Sequence, residues 1–439
     1  MSSTAPRQRA TPKSWRYQAD AWRWSKNYDD RYVTASLRLR GGTVLPASLR
    51  ARILAMGIPF DIMVETLREI RSLKDWTNAW IETAQRFLGD FRRQVSGNLR
   101  RDAAQARMMA GFCYHVAQLF PGPDPRTPEH CRTTAATLVA QALPDIAPHA
   151  RKVNIPWRNH DLPAILVPGP DSPEPSALIV SINGASTVKE EVMRWSAPFD
   201  QLGIATLFID SPGTGESRHL GPISPDHDDL LNGVFEMLRS FPVVDPRRVG
   251  VLGISIGGNL AIRSLAYDRR IAAAIAVTPP YEPARWIEHA SPLHKAELRA
   301  SLIDGGEGNV EEIAASFSLH DMAPTIQRPT LIVGGGRDLV VPPSESTMLA
   351  SRLGALSTLD WYPEGGHVLY NELPAWTTDA AQWFHAVQAD QSTRVDDRIR
   401  AAAIYREALF NAPPKIEWDE SQESARLLSP EERDITNID

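Results

Sequence analysis

From Val153 onward the chain alternates short β-rich apolar runs with helical stretches, and few folds accept that alternation. Eight runs read as strands: residues 153–157, 163–167, 177–182, 205–209, 248–252, 272–277, 330–333 and 358–362. The first two are close enough to form a hairpin. The later ones alternate with helical stretches, among them 190–202, 228–241 and 257–267. Such a series implies right-handed βαβ crossovers and a mostly parallel sheet. Sheets of this kind bind ligands at the carboxyl ends of their strands, so chemistry is to be sought in the loops that follow each strand.

Four of those loops stand out. Gly253-Ile254-Ser255-Ile256-Gly257 follows the fifth strand and precedes a helix, the context of a G-x-S-x-G nucleophile elbow. Asp338 closes Gly334-Gly335-Gly336-Arg337 after the seventh strand, where an acid orients a histidine in folds of this kind. His367 follows Glu364-Gly365-Gly366 after the eighth strand; of the eleven histidines only it has both the chain order and the strand-end position of a general base. Glu364 is an alternative acid, though very near the base, while His385 lies in a helix-like run and reads as structural. After the third strand, the loop Asn183-Gly184-Ala185-Ser186 offers a backbone N–H to an oxyanion, paired with that of Ile256. Gly184 and Ala185 are both candidates for that donor. A fifth loop, 210–217, has glycines but lacks the Lys-Ser/Thr ending of a phosphate cradle, and reads as a structural turn. Together these loops predict acyl transfer, with Ser255 as nucleophile, His367 as base and Asp338 as its orienting acid.

Upstream, residues 46–143 carry a helical pattern in which Leu67, Ile70, Leu73, Trp76, Trp80, Ile81 and Phe87 recur at helical spacing. These aromatics read as helix-packing core rather than a cofactor box. Two further helices, 103–120 and 128–143, are separated by Pro121-Gly122-Pro123-Asp124-Pro125. The expected division is a Trp- and Arg-rich segment at 1–45 (with Trp15, Tyr17, Trp22 and Trp24), a helical cap region at 46–150, an α/β core at 151–388 and an acidic extension at 389–439. Composition narrows the partners. A net charge of −6 gives no footprint for nucleic acid. No apolar run reaches the roughly 18 residues of a membrane span. Two cysteines and no His-Glu-x-x-His run argue against a disulfide framework or a zinc site, and fit a cytoplasmic protein. No metal or cofactor is expected; the expected partner is a small-molecule substrate.

The same motifs carry a resemblance. Val153–Trp157 with Leu162–Leu166, Asn183-Gly184 with Lys189-Glu190, Asp210–Ser217, Gly253–Gly258, and Gly366-His367-Val368 with Asn371 resemble one α/β-hydrolase group. That group includes the fermentation–respiration switch protein-like esterases, dihydroxypseudooxynicotine hydrolase and fungal polyketide chain-shortening hydrolases. The resemblance spans roughly Ala103 to Ala386. It implies an eight-stranded α/β-hydrolase fold with helices capping the site, the same roles for Ser255, Asp338 and His367, and a homodimer. It also implies cleavage of an ester or of a carbon–carbon bond in β-diketone-like or aryl ketone substrates. An insertion at 279–328 is expected to act as a lid, with Tyr281 and Trp286 as aromatic pocket walls. The alternative is an acyltransferase or cyclase on the same triad, in which a bound nucleophile replaces water.

Overall fold

The computed structural model describes residues 37–39, 42, 45–120, 126–169, 175–241, 243–290, 292–303 and 308–389, and two short strands at 416–419 and 424–427. The Trp15–Trp24 cluster and most of the acidic extension lie outside the described residues.

Among the described residues before the sheet are five α-helices: α1 (Ala47–Ala55), α2 (Phe60–Glu69), α3 (Trp76–Ser96), α4 (Arg100–Ala117) and α5 (Thr127–Ile146). They enclose a core of their own, built on Met63, Leu67, Trp76, Trp80, Phe112 and Val139. Trp76 and Trp80 are fully buried, as a packing role requires. The Trp76 ring meets Phe120 edge-on at 4.8 Å, and its Nε1 donates to the Val116 carbonyl of α4 at 2.8 Å.

The eight strands are β1 (Arg151–Trp157), β2 (His160–Val167), β3 (Ser176–Ile182), β4 (Ala205–Ile209), β5 (Val244–Ile254), β6 (Ala273–Val277), β7 (Thr330–Gly335) and β8 (Ser357–Tyr362). They form one sheet in the order β1-β2-β4-β3-β5-β6-β7-β8. β1 and β2 form the hairpin, β2 lies antiparallel to β4, and the remaining pairs are parallel. β4, β6 and β7 are buried along their whole length, as strands covered on both faces must be. α8 (Asn232–Leu238), α9 (Ile256–Tyr267) and α12 (Pro343–Leu353) pack on one face. α7 (Ala197–Gln201) and α13 (Leu373–Ala389) cover the other.

The structure differs from the sequence reading in two helices. The expected helix at 190–202 is broken into α6 (Lys189–Val192), a 3₁₀ turn at Met193–Trp195, and α7. Pro198 has no N–H to give to residue 194 and its ring would strike that carbonyl, so it is accommodated in the first turn of a new helix. The expected helix at 228–241 begins instead as a 3₁₀ segment, Pro225–Leu231, kinked at His227. Within the insertion, α10 (Pro292–Leu302) and α11 (Val310–Ser316) alternate with short 3₁₀ turns.

Candidate active site

β5 ends in a turn that leaves Ser255 at φ 53°, ψ −124°, a conformation costly for a residue with a side chain. Its N–H is held by the Val277 carbonyl at 2.9 Å, and α9 begins at the next residue. The flanking glycines are required by close approach. A Cβ on Gly253 would lie 2.0 Å from the Gly257 carbonyl oxygen, and one on Gly257 would lie 2.3 Å from that of Asn183. The G-x-S-x-G spacing is thus a statement about backbone packed on backbone.

The loops after β7 and β8 are laced together. Gly336 N–H donates to the Tyr362 carbonyl at 2.8 Å and Arg337 N–H to that of Gly365 at 2.9 Å. A side chain at Gly335 would meet the Gly365 carbonyl at 2.5 Å. This lacing sets Asp338 beside His367. Asp338 Oδ1 accepts the N–H groups of Val340 and Val341 at 2.8 and 2.9 Å, which turns Oδ2 toward the ring. Oδ2 lies 2.8 Å from His367 Nδ1, and His367 Nε2 lies 3.0 Å from Ser255 Oγ. Since a carboxylate only accepts, the proton belongs on Nδ1, leaving Nε2 to accept from the serine hydroxyl. Val368 and Leu369 both sit at positive φ, and Val368 N–H reaches Thr278 Oγ1 at 3.3 Å, tying this loop to the end of β6. Asp338 is buried, while Ser255 and His367 are partly accessible. The alternative acid, Glu364, is exposed and paired with Arg337, and no described contact joins it to His367. His385 is exposed on α13.

In the loop after β3, Gly184 N–H is already engaged by Thr187 Oγ1 at 2.8 Å. Among the described residues, the N–H groups of Ala185 and Ile256 make no hydrogen bond. Of the two candidates left open by the sequence, the free donor is therefore Ala185.

The loop at 210–217 does behave as a structural turn, built around charge. Asp210, fully buried, accepts from Asn183 Nδ2 (2.8 Å), Lys189 N (2.9 Å), Lys189 Nζ (2.7 Å) and Glu216 N (3.0 Å). Lys189 Nζ also meets Glu190 at 2.7 Å and Glu216. Burial alone would lower the Lys189 pKa; the surrounding carboxylates of Asp210, Glu190 and Glu216 outweigh it and raise it. Glu190, Asp210 and Glu216 are close enough to share a cation, and the Lys189 ammonium already supplies one.

Tyr281 and Trp286 both lie in the insertion. Tyr281 is buried with its hydroxyl 3.3 Å from His320 Nδ1, and Trp286 stacks on His294. No described hydrogen bond or ring contact joins either to Ser255 or His367. The insertion is pinned to α9 at its start and again at residues 316–318. Asn259 Nδ2 donates to the carbonyls of Pro280 (2.8 Å) and Phe317 (2.7 Å), and Arg263 Nη2 to those of Ser316 (2.7 Å) and Ser318 (3.0 Å). A small hollow lies between the helical region and the core, lined by Phe112, Arg132, Val139, Val188, Glu190 and Glu216. Ser255 does not line it.

Sequence reasoning missed a buried network one turn beyond the oxyanion loop. Glu191, with no exposed side-chain surface, accepts from Arg52 Nε (2.9 Å), Arg52 Nη2 (2.8 Å), His115 Nε2 (2.9 Å) and the Tyr370 hydroxyl (3.0 Å). Burial alone would push its carboxyl up; Arg52 and His115 overcome that and hold it down to about 2. The only available signal was three consecutive charges, Lys189-Glu190-Glu191, which read equally well as a solvated helix face.

Comparison with known proteins agrees with this architecture. The family described as "Esterase FrsA-like" matches residues 75–282, and the prolyl oligopeptidase family matches residues 221–391. The chain is 25% identical over 337 residues to 2,6-dihydropseudooxynicotine hydrolase of Paenarthrobacter nicotinovorans, covering 76% of this chain and 90% of that one. It is 29% identical over 238 residues to Hydrolyase poxO of Penicillium oxalicum, covering 50% and 55% of the two chains. The crystal structure of 2,6-dihydroxy-pseudo-oxynicotine hydrolase superposes with a TM-score of 0.67 at 23% identity, over 76% of this chain and 94% of that one, which speaks for a common fold. With its sheet order, its strand-end loops and its likeness to an esterase family and to a named hydrolase, the chain is an enzyme of the α/β-hydrolase class.

Proposed function

We propose that the chain is a serine hydrolase that works through an acyl-enzyme on Ser255, with His367 as general base and acid and Asp338 as the group that orients it. The observation that carries the reading is the unbroken line Ser255 Oγ–His367 Nε2–His367 Nδ1–Asp338 Oδ2, at 3.0 and 2.8 Å, ending on a strained serine. His367 Nε2 takes the hydroxyl proton as Oγ bonds to a carbonyl carbon. The resulting oxyanion is met by the N–H groups of Ile256 and Ala185, neither of which has a hydrogen-bond partner among the described residues. Collapse breaks the bond to the leaving group, which receives the proton from His367. Water, deprotonated by the same nitrogen, then releases the acid and restores the serine.

The substrate we propose is an ester, or a ketone cleaved at a carbon–carbon bond, of moderate size and aromatic or polyketide-like character. Support comes from the names of its relatives, which include a dihydropseudooxynicotine hydrolase, a thiohydrolase and a polyketide transferase. The helical region and the insertion with Tyr281 and Trp286 are the proposed cover of the pocket. The test is labelling with a fluorophosphonate, followed by a panel of p-nitrophenyl esters, aryl diketones and acylated polysaccharides. Label on Ser255 that is lost in Ser255→Ala and reduced in His367→Ala supports the reading. An unlabelled, folded protein, or a preference for the polysaccharides, counts against it. Products formed with and without an added alcohol or amine separate hydrolysis from acyl transfer.

A further inference from the structure

Between the two clamped residues of the oxyanion loop sits Ala185, whose N–H is the donor assigned above. On one side Thr187 Oγ1 holds Gly184. On the other, a residue of the helical region reaches in: Arg52 of α1 donates through Nη1 to Ser186 Oγ at 3.0 Å and through Nη2 to the Ser186 carbonyl at 2.8 Å. Arg52 is itself fixed by a two-pronged pair with Glu191 on α6. That carboxylate also takes His115 of α4 and Tyr370, three residues past His367. His115 Nδ1 is 3.2 Å from Gln118 Nε2, a donor, so Nε2 carries the proton that Glu191 receives. One buried carboxylate therefore ties two helices of the cap region to both the oxyanion loop and the histidine loop.

We infer that Arg52 is a positioning residue of this site, acting through Glu191 and the Ser186 carbonyl to aim the Ala185 N–H. The inference rests on the serine-hydrolase reading. A buried ion pair is weak evidence of a stabilising role, because well-packed apolar residues often serve as well. Apolar residues cannot donate two hydrogen bonds to the residue beside an oxyanion donor. A misaimed donor acts on the transition state far more than on bound substrate, so the effect belongs in kcat.

The experiment uses the full chain with Arg52→Met, Arg52→Lys, Glu191→Gln and Ser255→Ala. The readouts are kcat and KM on a p-nitrophenyl ester, inhibition by a trifluoromethyl ketone that mimics the oxyanion, and thermal unfolding. Arg52→Met is expected to lose about 10²-fold in kcat with KM changed less than about threefold, and to bind the ketone correspondingly more weakly. Arg52→Lys should fall between, and added methylguanidinium should restore part of the Arg52→Met activity. A folded Arg52→Met with unchanged kcat overturns the inference, as does a loss of kcat with no change in ketone binding. If Arg52→Met does not fold, Glu191→Gln decides: lowered kcat in a folded protein supports positioning, and unchanged kcat overturns it. Failure of both to fold assigns the pair a purely structural role and also overturns it. Ser255→Ala separates the two levels. Full ester turnover in that variant would sink the hydrolase reading itself, whereas its inactivity beside a fully active Arg52→Met sinks only the positioning role.

Discussion

Two regions at the carboxyl edge of the same sheet were built by different means. The Ser255, Asp338 and His367 loops are shaped by backbone: glycines where carbonyls press, a serine at positive φ, a carboxylate turned by two N–H groups. The run Lys189-Glu190-Glu191 is shaped by side chains that find partners far along the chain, and all three residues are buried. A backbone-made site depends on which residue types stand next to one another. A pairing-made site depends on the whole molecule having folded. The first should therefore fail in chemistry when altered, and the second in stability, with turnover lost as well where Glu191 ties down the oxyanion loop.

Ser255→Ala should break the first kind outright, lowering kcat/KM by about 10⁴-fold or more while leaving the melting temperature essentially in place. Lys189→Met tests the second, since it strands Asp210 and Glu190 without a cation. A loss of about 3–5 kcal/mol in urea unfolding is expected; a loss below about 1 kcal/mol would mean that water replaces the lysine. Gly257→Ala stands between the two. Its new methyl meets the Asn183 carbonyl at 2.3 Å, so the oxyanion loop must shift. We expect about 1–3 kcal/mol of destabilisation, with activity falling out of proportion to it.

A pH series sharpens the comparison further. Glu191 titrates at about 2 when folded against an ordinary value of 4.5, so the unfolded chain binds its proton first as the solution is acidified. Its contribution is therefore complete above about 4.5 and declines as the pH falls toward 2. The stability difference between wild type and Glu191→Gln, measured by denaturant unfolding from pH 7 down to 2.5, should shrink across that window. A difference independent of pH would contradict the pairing. The smallest effect is expected at Glu364. It is exposed and paired with Arg337, so Glu364→Gln should change kcat less than about twofold.

What could be read from the sequence follows the same division. All eight strands stood out: the central ones because buried parallel strands are continuous apolar runs broken by turn residues, β1 and β2 because their spacing is that of a hairpin. The Ser-Asp-His geometry is what chain order and strand-end position predict, since both are properties of the fold. Which of Gly184 and Ala185 has a free N–H stayed ambiguous because it turns on the Thr187 hydroxyl, a side-chain orientation. Pro198 was visible, yet its power to split a helix depended on where the preceding turn ended. Arg52 and His115 gave no signal at all, being single polar residues on helices whose partner lies in another part of the chain.

The distance along the chain between Arg52 and Glu191 has a temporal consequence. The two are 139 residues apart, and Glu191 lies 179 residues from Tyr370. At a synthesis rate of roughly 5–20 residues per second, Arg52 leaves the ribosome some 7 to 28 s before its carboxylate partner exists, and longer before the histidine loop does. During that interval a guanidinium destined for the interior must remain hydrated, and the face of α1 that bears it cannot close. Hydrolytic competence would then wait on the histidine loop, the last of the three paired segments to be made.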